Sequence, residues 1–372
     1  MKRAIVLIMA MVLSLVLGSC QNKQDVVRVG AVLPLTGSAA IYGVSLKQGI
    51  DLAVETINAL GGINGRKLEV IYEDSKGDAR TGVSAFNKLN VVDRVPLVFG
   101  SLTSVILAIR PEADRQNVVL INTSAKSPVI CVEENNFLFN LMLNGNVETA
   151  FMAKEFHREF PDEKIAVFYS NNAAGVHMKD RFVQDLSQFG NLNYITESYE
   201  IDVTDFRIQL DRIRRNGAKF GYLLAFSSKE FADILRQSKE LGLDIQWYSY
   251  SAIETRETIE LAREAANGVI YSYPKYNDAL YSNFQAKFAE KYNSWADIYA
   301  ITSYDAVHLI AKVMKEYGTT AIDIQKGLRS IDKFDGIFGN IEFPNAGDQC
   351  VDGELFWKTI ENGLFKTAEE GL

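Results

Sequence analysis

The stretch Val26-Val27-Arg28-Val29-Gly30-Ala31-Val32-Leu33 decides the fold class. It is apolar at consecutive rather than alternate positions, broken only by Arg28. A strand with this pattern is buried on both faces, as in a parallel sheet covered by helices. Working outward, residues 41–60 carry Val44, Ile50, Ala53, Val54 and Ile57 at helical spacing. Residues 68–73 then read as a strand, 79–92 as a helix, 96–99 as a strand, 105–115 as a helix and 118–121 as a strand. The pattern resumes with helix 147–160, strand 164–169, helix 176–189, strand 192–199, helix 206–215, strand 220–225, helix 229–241 and an apolar run at 245–248. Two such series, near 26–140 and 145–272, predict an α/β protein of two doubly wound lobes. Ligands of such sheets gather at the carboxyl ends of the strands. Beyond 272 the alternation breaks into helices at 277–292, 297–317 and 321–331, then strand-like runs at 336–343 and 354–361. A chain that builds two lobes and then adds a helical section is expected to cross between them more than once, which gives a hinge of several strands beside a cleft.

The remaining composition narrows the function. With 372 residues, 47% hydrophobic and 23% charged, the chain is ordinary globular protein, long enough for two domains. A net charge of −8 gives no general pull toward nucleic acid, so no nucleic-acid partner is expected. Three Cys exclude a disulfide-stapled scaffold, and three His argue against a histidine-built metal centre. At the start, Lys2 and Arg3 precede an apolar run from Ala4 to Leu17 that is too short to span a bilayer. A charged start, a short apolar middle and a small-residue end make a signal peptide over residues 1–19. Its end, Leu17-Gly18-Ser19-Cys20, resembles the bacterial lipobox, in which the Cys thiol is lipidated and cleavage falls just before it. The plainer alternative is an ordinary signal peptide with a coincidental Cys. Residues 20–25 then form a lipidated, polar tether, and the expected location is the periplasm or cell surface, held to a membrane by the lipid.

The search for chemistry is mostly negative. The sequence has no G-x-S-x-G elbow, no Walker loop, no G-x-G-x-x-G after a strand and no H-E-x-x-H. His157, His177 and His308 have no carboxylate or Cys at ligand spacing and read as surface or lining residues. Gly61-Gly62-Ile63-Asn64-Gly65 follows a helix and precedes a strand, the reverse of a phosphate loop, so it reads as a helix end and turn. Asp205 reads as the cap of the helix that follows it rather than as part of a cation site with Asp202 and Asp211. No catalytic residue, cofactor or metal is expected, and the protein is not expected to be an enzyme.

Several runs carry a family resemblance. Val29-Gly30-Ala31-Val32-Leu33-Pro34-Leu35-Thr36-Gly37 followed by Tyr42-Gly43 resembles the opening of the type I periplasmic binding proteins of the branched-chain amino-acid (Leu/Ile/Val) family. Gly49, Leu52-Ala53, Ile57-Asn58, Gly61-Gly62-Ile63-Asn64-Gly65-Arg66 and Glu73-Asp74-Ser75 are similar to its long signature. Later pieces also match in order: Phe99-Gly100-Ser101 with Ser104, Thr204-Asp205-Phe206, Leu235 to Leu243, and Tyr299 to Val307. The resemblance implies a venus flytrap of two Rossmann-like lobes with a three-stranded hinge, closing on a small polar ligand and delivering it to an inner-membrane ABC permease. The lobes are expected at 26–143 plus 274–340 and at 144–273 plus 341–372, in a protein that works as a monomer.

The resemblance also implies site residues. Ser104, with Thr103 beside it, stands where the family binds the ligand carboxylate, although Ser104 could equally cap the helix that follows. Ala125 matches a position that offers backbone groups, and Lys126 stands where Thr is usual; a solvated rim is the alternative for Lys126. Tyr42 matches an aromatic at the cleft edge, and Phe226 falls where the family places a Tyr. Ser251, flanked by Tyr250, takes the place of the acid that holds a ligand ammonium, with Glu254 the nearest carboxylate in sequence. An ammonium in a desolvated cleft without a carboxylate is poorly compensated. These departures predict a small carboxylate ligand, aromatic or branched, with no need of an ammonium. A sensory receptor that passes closure to a membrane signalling partner is the alternative function. Export places Cys131 and Cys350 in an oxidising compartment, near the first and last expected lobe crossings, where they are expected to pair.

Overall fold

The computed structural model describes residues 26–131, 136–190, 193–331, 333–341, 343, 350–351 and 353–368. The expected signal peptide, Cys20 and the tether lie outside the described residues.

The first sheet is parallel, with strands β1 (Val27–Leu33), β2 (Leu68–Asp74), β3 (Leu97–Gly100), β4 (Val119–Asn122) and β5 (Leu138–Asn140) in the order β2-β1-β3-β4-β5. Helices α1 (Ala40–Ala59), α2 (Ala79–Val91) and α3 (Thr103–Gln116) connect them. Every residue of β1 except Arg28 is buried, because helices cover both faces of the sheet. Gly43 lets α1 start hard against the loop after β1: a Cβ there would lie 2.1 Å from the Pro34 carbonyl oxygen. Gly62, at φ +69°, ends the glycine turn after α1 in a conformation other residues rarely adopt.

The second sheet is larger. Its parallel part comprises β6 (Ile165–Ser170), β7 (Tyr194–Tyr199), β8 (Phe220–Leu224), β9 (Gln246–Ser249) and β10 (Ile270–Pro274). Helices α4 (Gly145–Glu159), α5 (Ala173–Ser187), α6 (Arg207–Asn216), α7 (Ser228–Glu240) and the short α8 (Arg256–Ala262) belong to this lobe. Asp205, expected as the cap of α6, lies one residue before the capping position, which Phe206 takes without a side-chain cap; its carboxylate accepts from the Arg207 amide. Two antiparallel strands, β13 (Leu355–Glu361) and β14 (Leu364–Thr367), extend the sheet beyond β10.

Helices α9 (Asp278–Tyr292), α10 (Ile298–Tyr317) and α11 (Ala321–Ser330) return to the first lobe. Phe284 and Phe288 of α9 pack with Leu52 of α1, and the Ser303 hydroxyl of α10 donates to the Leu46 carbonyl. The chain therefore passes between the lobes three times: before α4, before α9 and before β13. Cys131 and Cys350 are joined by a disulfide, with Cα atoms 5.9 Å apart, and Cys350 bridges to Asn140 at the end of β5.

Two readings are corrected. The run 336–343, expected as one strand, holds among its described residues a hairpin of β11 (Phe334–Gly336) and β12 (Gly339–Ile341), turned through Ile337 and Phe338. Ser104 does not cap α3: it lies inside the helix, and the capping residue is Leu102, which makes no side-chain cap. Strand β5, helix α8 and strand β14 were not anticipated.

Candidate ligand-binding cleft

In each parallel sheet the connections run outward in both directions from the first strand. The order reverses between β1 and β3 in one lobe and between β6 and β8 in the other. A crevice opens at the carboxyl end of such a switch point. The first lobe offers the loop from Pro34 to Tyr42 and the turn from Ser101 to Ser104. The second offers Ala174-Gly175 and Phe226.

Tyr42, near the start of α1, is buried and stacks edge-on against Tyr299 of α10, with centroids 4.8 Å apart. Its hydroxyl has no partner among the described residues. Burial, and then Tyr299, push its phenol well above the ordinary value, so it remains a protonated donor. At the turn before α3, Leu102 holds φ +64°, and its amide donates to the Ser124 hydroxyl. A non-glycine residue in this region stores strain of the kind found at binding sites. Ser101 beside it is buried with its hydroxyl unpartnered, Thr103 is buried, and Ser104 is exposed.

From the second lobe, Phe226 lies 5.8 Å from the Tyr250 ring, and its amide donates to Glu230. The Glu230 carboxyl is pushed up by burial, against the opposing hydrogen bonds. The Tyr250 hydroxyl is spent on the Ala225 carbonyl, so this residue presents its ring rather than its oxygen. Burial, then Tyr299 and Tyr42, raise the Tyr250 phenol above its ordinary value.

The charged centre of the cleft is Lys126. It is 4% exposed, which excludes the solvated-rim reading. Its ammonium lies 3.0 Å from Glu148 and 2.8 Å from the Ser251 hydroxyl, and 5.9 Å from the centre of the Tyr250 ring. Glu148, in the first turn of α4, is fully buried. Its other oxygen accepts from the Ser251 hydroxyl at 2.6 Å and from the Ser251 amide at 3.4 Å. Next to it, the Ser127 hydroxyl and His177 Nδ1 are 2.7 Å apart. Lys126 and Ser127 come from the first lobe, and Glu148, His177 and Ser251 from the second, so the lobes meet here.

Two expectations about this wall are corrected. An acid does stand opposite: Glu148 reaches the position aligned with Ser251, but both its oxygens are engaged and its charge is met by Lys126. The Ala125 amide is not available either. It donates to the Asn122 side chain at 2.8 Å, and the Ala125 carbonyl accepts from the same side chain at 2.7 Å. Glu254 does not reach this cleft: it pairs with Lys358 at 2.6 Å and accepts from the Tyr271 hydroxyl, both through one oxygen. Among the described residues there is no cluster of three or more His, Cys, Asp or Glu side chains fit to hold a metal.

The sequence profile described as periplasmic binding protein matches residues 26–354. The chain belongs to this family. It is an extracytoplasmic solute-binding protein and not an enzyme. A leucine-, isoleucine-, valine-, threonine- and alanine-binding protein of Pseudomonas aeruginosa is 26% identical over 334 residues, covering 87% of each chain. Two solved structures share the fold of this periplasmic binding protein. The branched-chain amino acid transporter substrate-binding protein LivJ from Streptococcus pneumoniae, in complex with isoleucine, superposes with a TM-score of 0.84 at 22% identity, over 93% of this chain and 99% of that one. A solute-binding protein of an ABC transporter from R. palustris, in complex with benzoate, gives 0.83 at 16% identity, over 93% and 96%.

Proposed function

We propose that this periplasmic binding protein captures a small organic carboxylate without an ammonium group, aromatic or branched, and delivers it to an ABC permease. Its lobes, 26–143 with 274–340 and 144–273 with 341–372, close on the ligand. The observation that carries the reading is the Lys126–Glu148–Ser251 cluster. An ammonium has three donors. Two of those of Lys126 meet Glu148 and Ser251, which leaves one for a ligand anion. The same cluster disfavours an amino acid. Both oxygens of Glu148 are already taken by Lys126 and Ser251, so among the described residues of the cluster no open carboxylate oxygen is left to accept from a ligand ammonium. In effect Lys126 supplies the cation that an amino-acid ligand would bring.

Thr103 and Ser104 flank the anion from the first lobe, with the Tyr42 hydroxyl as a further donor. Tyr42, Phe226 and Tyr250 enclose the apolar remainder. The benzoate named in one structural neighbour, and the 3,4-dihydroxy benzoic acid named in another from Rhodopseudomonas palustris, are ligands of this class. A thermal-shift panel tests the reading. At a hundredfold excess over Kd, a ligand adds about 2.7 kcal/mol and raises the melting temperature by several degrees. Benzoates and branched fatty acids are expected to do so; shifts confined to amino acids would refute the reading.

We further propose that Cys20 anchors the mature chain to a membrane through its lipid. One acyl chain binds only marginally and two or more hold stably, so retention needs the full modification. Cell fractionation of Cys20→Ala should find the protein in the soluble fraction. Unchanged retention in the membrane would reject the anchor.

A further inference from the structure

A second pocket, open to solvent on one side, lies on the flank of the lobe interface. It measures about 530 Å³, within the size range of small-molecule sites. Its walls come from both lobes: Ile259 of α8 and Phe365 of β14 on one side, Tyr281 of α9 and Trp295 on the other. Trp295 and Phe365 meet edge-on across it, with centroids 5.2 Å apart. It shares no lining residue with the cleft around Lys126.

The floor is the buried ion pair of Glu254, 2% exposed, and Lys358, 5% exposed. Both groups retain hydrogen-bonding capacity. Lys358 and the Tyr271 hydroxyl both reach the same oxygen of Glu254, Oε2, and Oε1 has no partner among the described residues. Lys358 has Glu254 as its one polar partner there and otherwise sits 4.4 Å over the Tyr273 ring. Glu254 Oε1 and the remaining Lys358 donors therefore stand side by side on the pocket floor, an acceptor and a donor that a ligand can meet in place of water. From these observations we infer that this pocket is a second ligand site, which takes a planar aromatic amide or lactam. Its N–H donates to Glu254 Oε1, its C=O accepts from Lys358, and its ring lies among Trp295, Phe365 and Tyr281.

Charge selects this class over its ionic relatives. Both oxygens of Glu148 are engaged, whereas Glu254 meets Lys358 at 2.6 Å through Oε2 and keeps Oε1 open, so here any ion that approaches one group also meets an open site of the other. A carboxylate would meet Glu254, and an ammonium would meet Lys358. The cations at the rim add no free charge, because Arg256 pairs with Glu260 and Lys366 with Glu361. A neutral edge that offers one donor and one acceptor satisfies both groups without repulsion. Because the walls belong to both lobes, a bound molecule also favours the closed arrangement.

The test uses the mature chain with ¹⁵N-labelled tryptophan, titrated with uracil and nicotinamide, and with benzoate and benzylamine as ionic controls. The Trp295 indole signal, assigned by its absence in Trp295→Leu, should shift saturably with a Kd below about 1 mM for at least one neutral compound. By calorimetry, Trp295→Leu and Glu254→Gln should each weaken that binding at least ~10-fold. Three results would overturn the proposal: no saturable shift up to about 10 mM, equal binding of benzoate or benzylamine, or unchanged affinity in Trp295→Leu.

Discussion

Lys126→Met should weaken carboxylate binding by about tenfold to a hundredfold, since a hydrogen bond to a charged group contributes about 1.5–3 kcal/mol. It should also destabilise the empty protein. Glu148 is fully buried, and removing its cation leaves an uncompensated charge, which typically costs about 3–5 kcal/mol. The double variant Lys126→Met/Glu148→Gln separates the two effects. With the charge gone from both partners, stability should recover most of its loss, while carboxylate affinity stays low. Calorimetry and thermal melts of the wild type, the single and the double variant measure both quantities. A double variant that regains affinity along with stability would show that Lys126 holds the lobes and does not touch the ligand.

Breaking the disulfide should have the next largest effect. Cys131 and Cys350 are 219 residues apart in sequence, so the bond closes a long loop in the unfolded chain. Loss of a native disulfide typically costs about 2–5 kcal/mol, with the entropic share dependent on the model used. Cys131 Sγ also accepts from the Asn144 side chain, at 2.9 Å, where the chain first crosses to the second lobe. Cys131→Ser/Cys350→Ser should therefore melt several degrees lower than the wild type. The wild type in reductant should match the variant. Equal melting temperatures of oxidised wild type and variant would reject a stabilising role.

The fold was legible because burial on both faces leaves its mark residue by residue: the unbroken apolar run of β1 and the helical spacing along α1 each point to one structure. What escaped was short. Strand β5 has three residues and α8 has seven, too few for a period to emerge. The hairpin of β11 and β12 was hidden because its turn, at Ile337 and Phe338, is made of apolar residues inside an otherwise strand-like run. The site was legible only in part. Lys126 stood out as a departure from a family pattern, and Tyr42 and Phe226 came from the same resemblance. Glu148 was overlooked because an acid in the first turn of a helix ordinarily complements the helix dipole and asks for no other role. Its pairing with Lys126 exists only when the lobes meet. The Ala125 amide was misjudged for a related reason: Asn122, three residues earlier, folds back to occupy it.

The central claim is that Lys126 takes the place of a ligand ammonium. The most direct measurement compares acids that differ only in that group. Calorimetric titration of the wild-type protein should pair 4-methylpentanoate with leucine, and 3-phenylpropanoate with phenylalanine. The account predicts that in at least one pair the plain acid binds, and at least ~10-fold more tightly than its amino-acid counterpart. Tighter binding of leucine or phenylalanine than of the matching acid would contradict it, and would mean that Glu148 serves the ligand rather than Lys126.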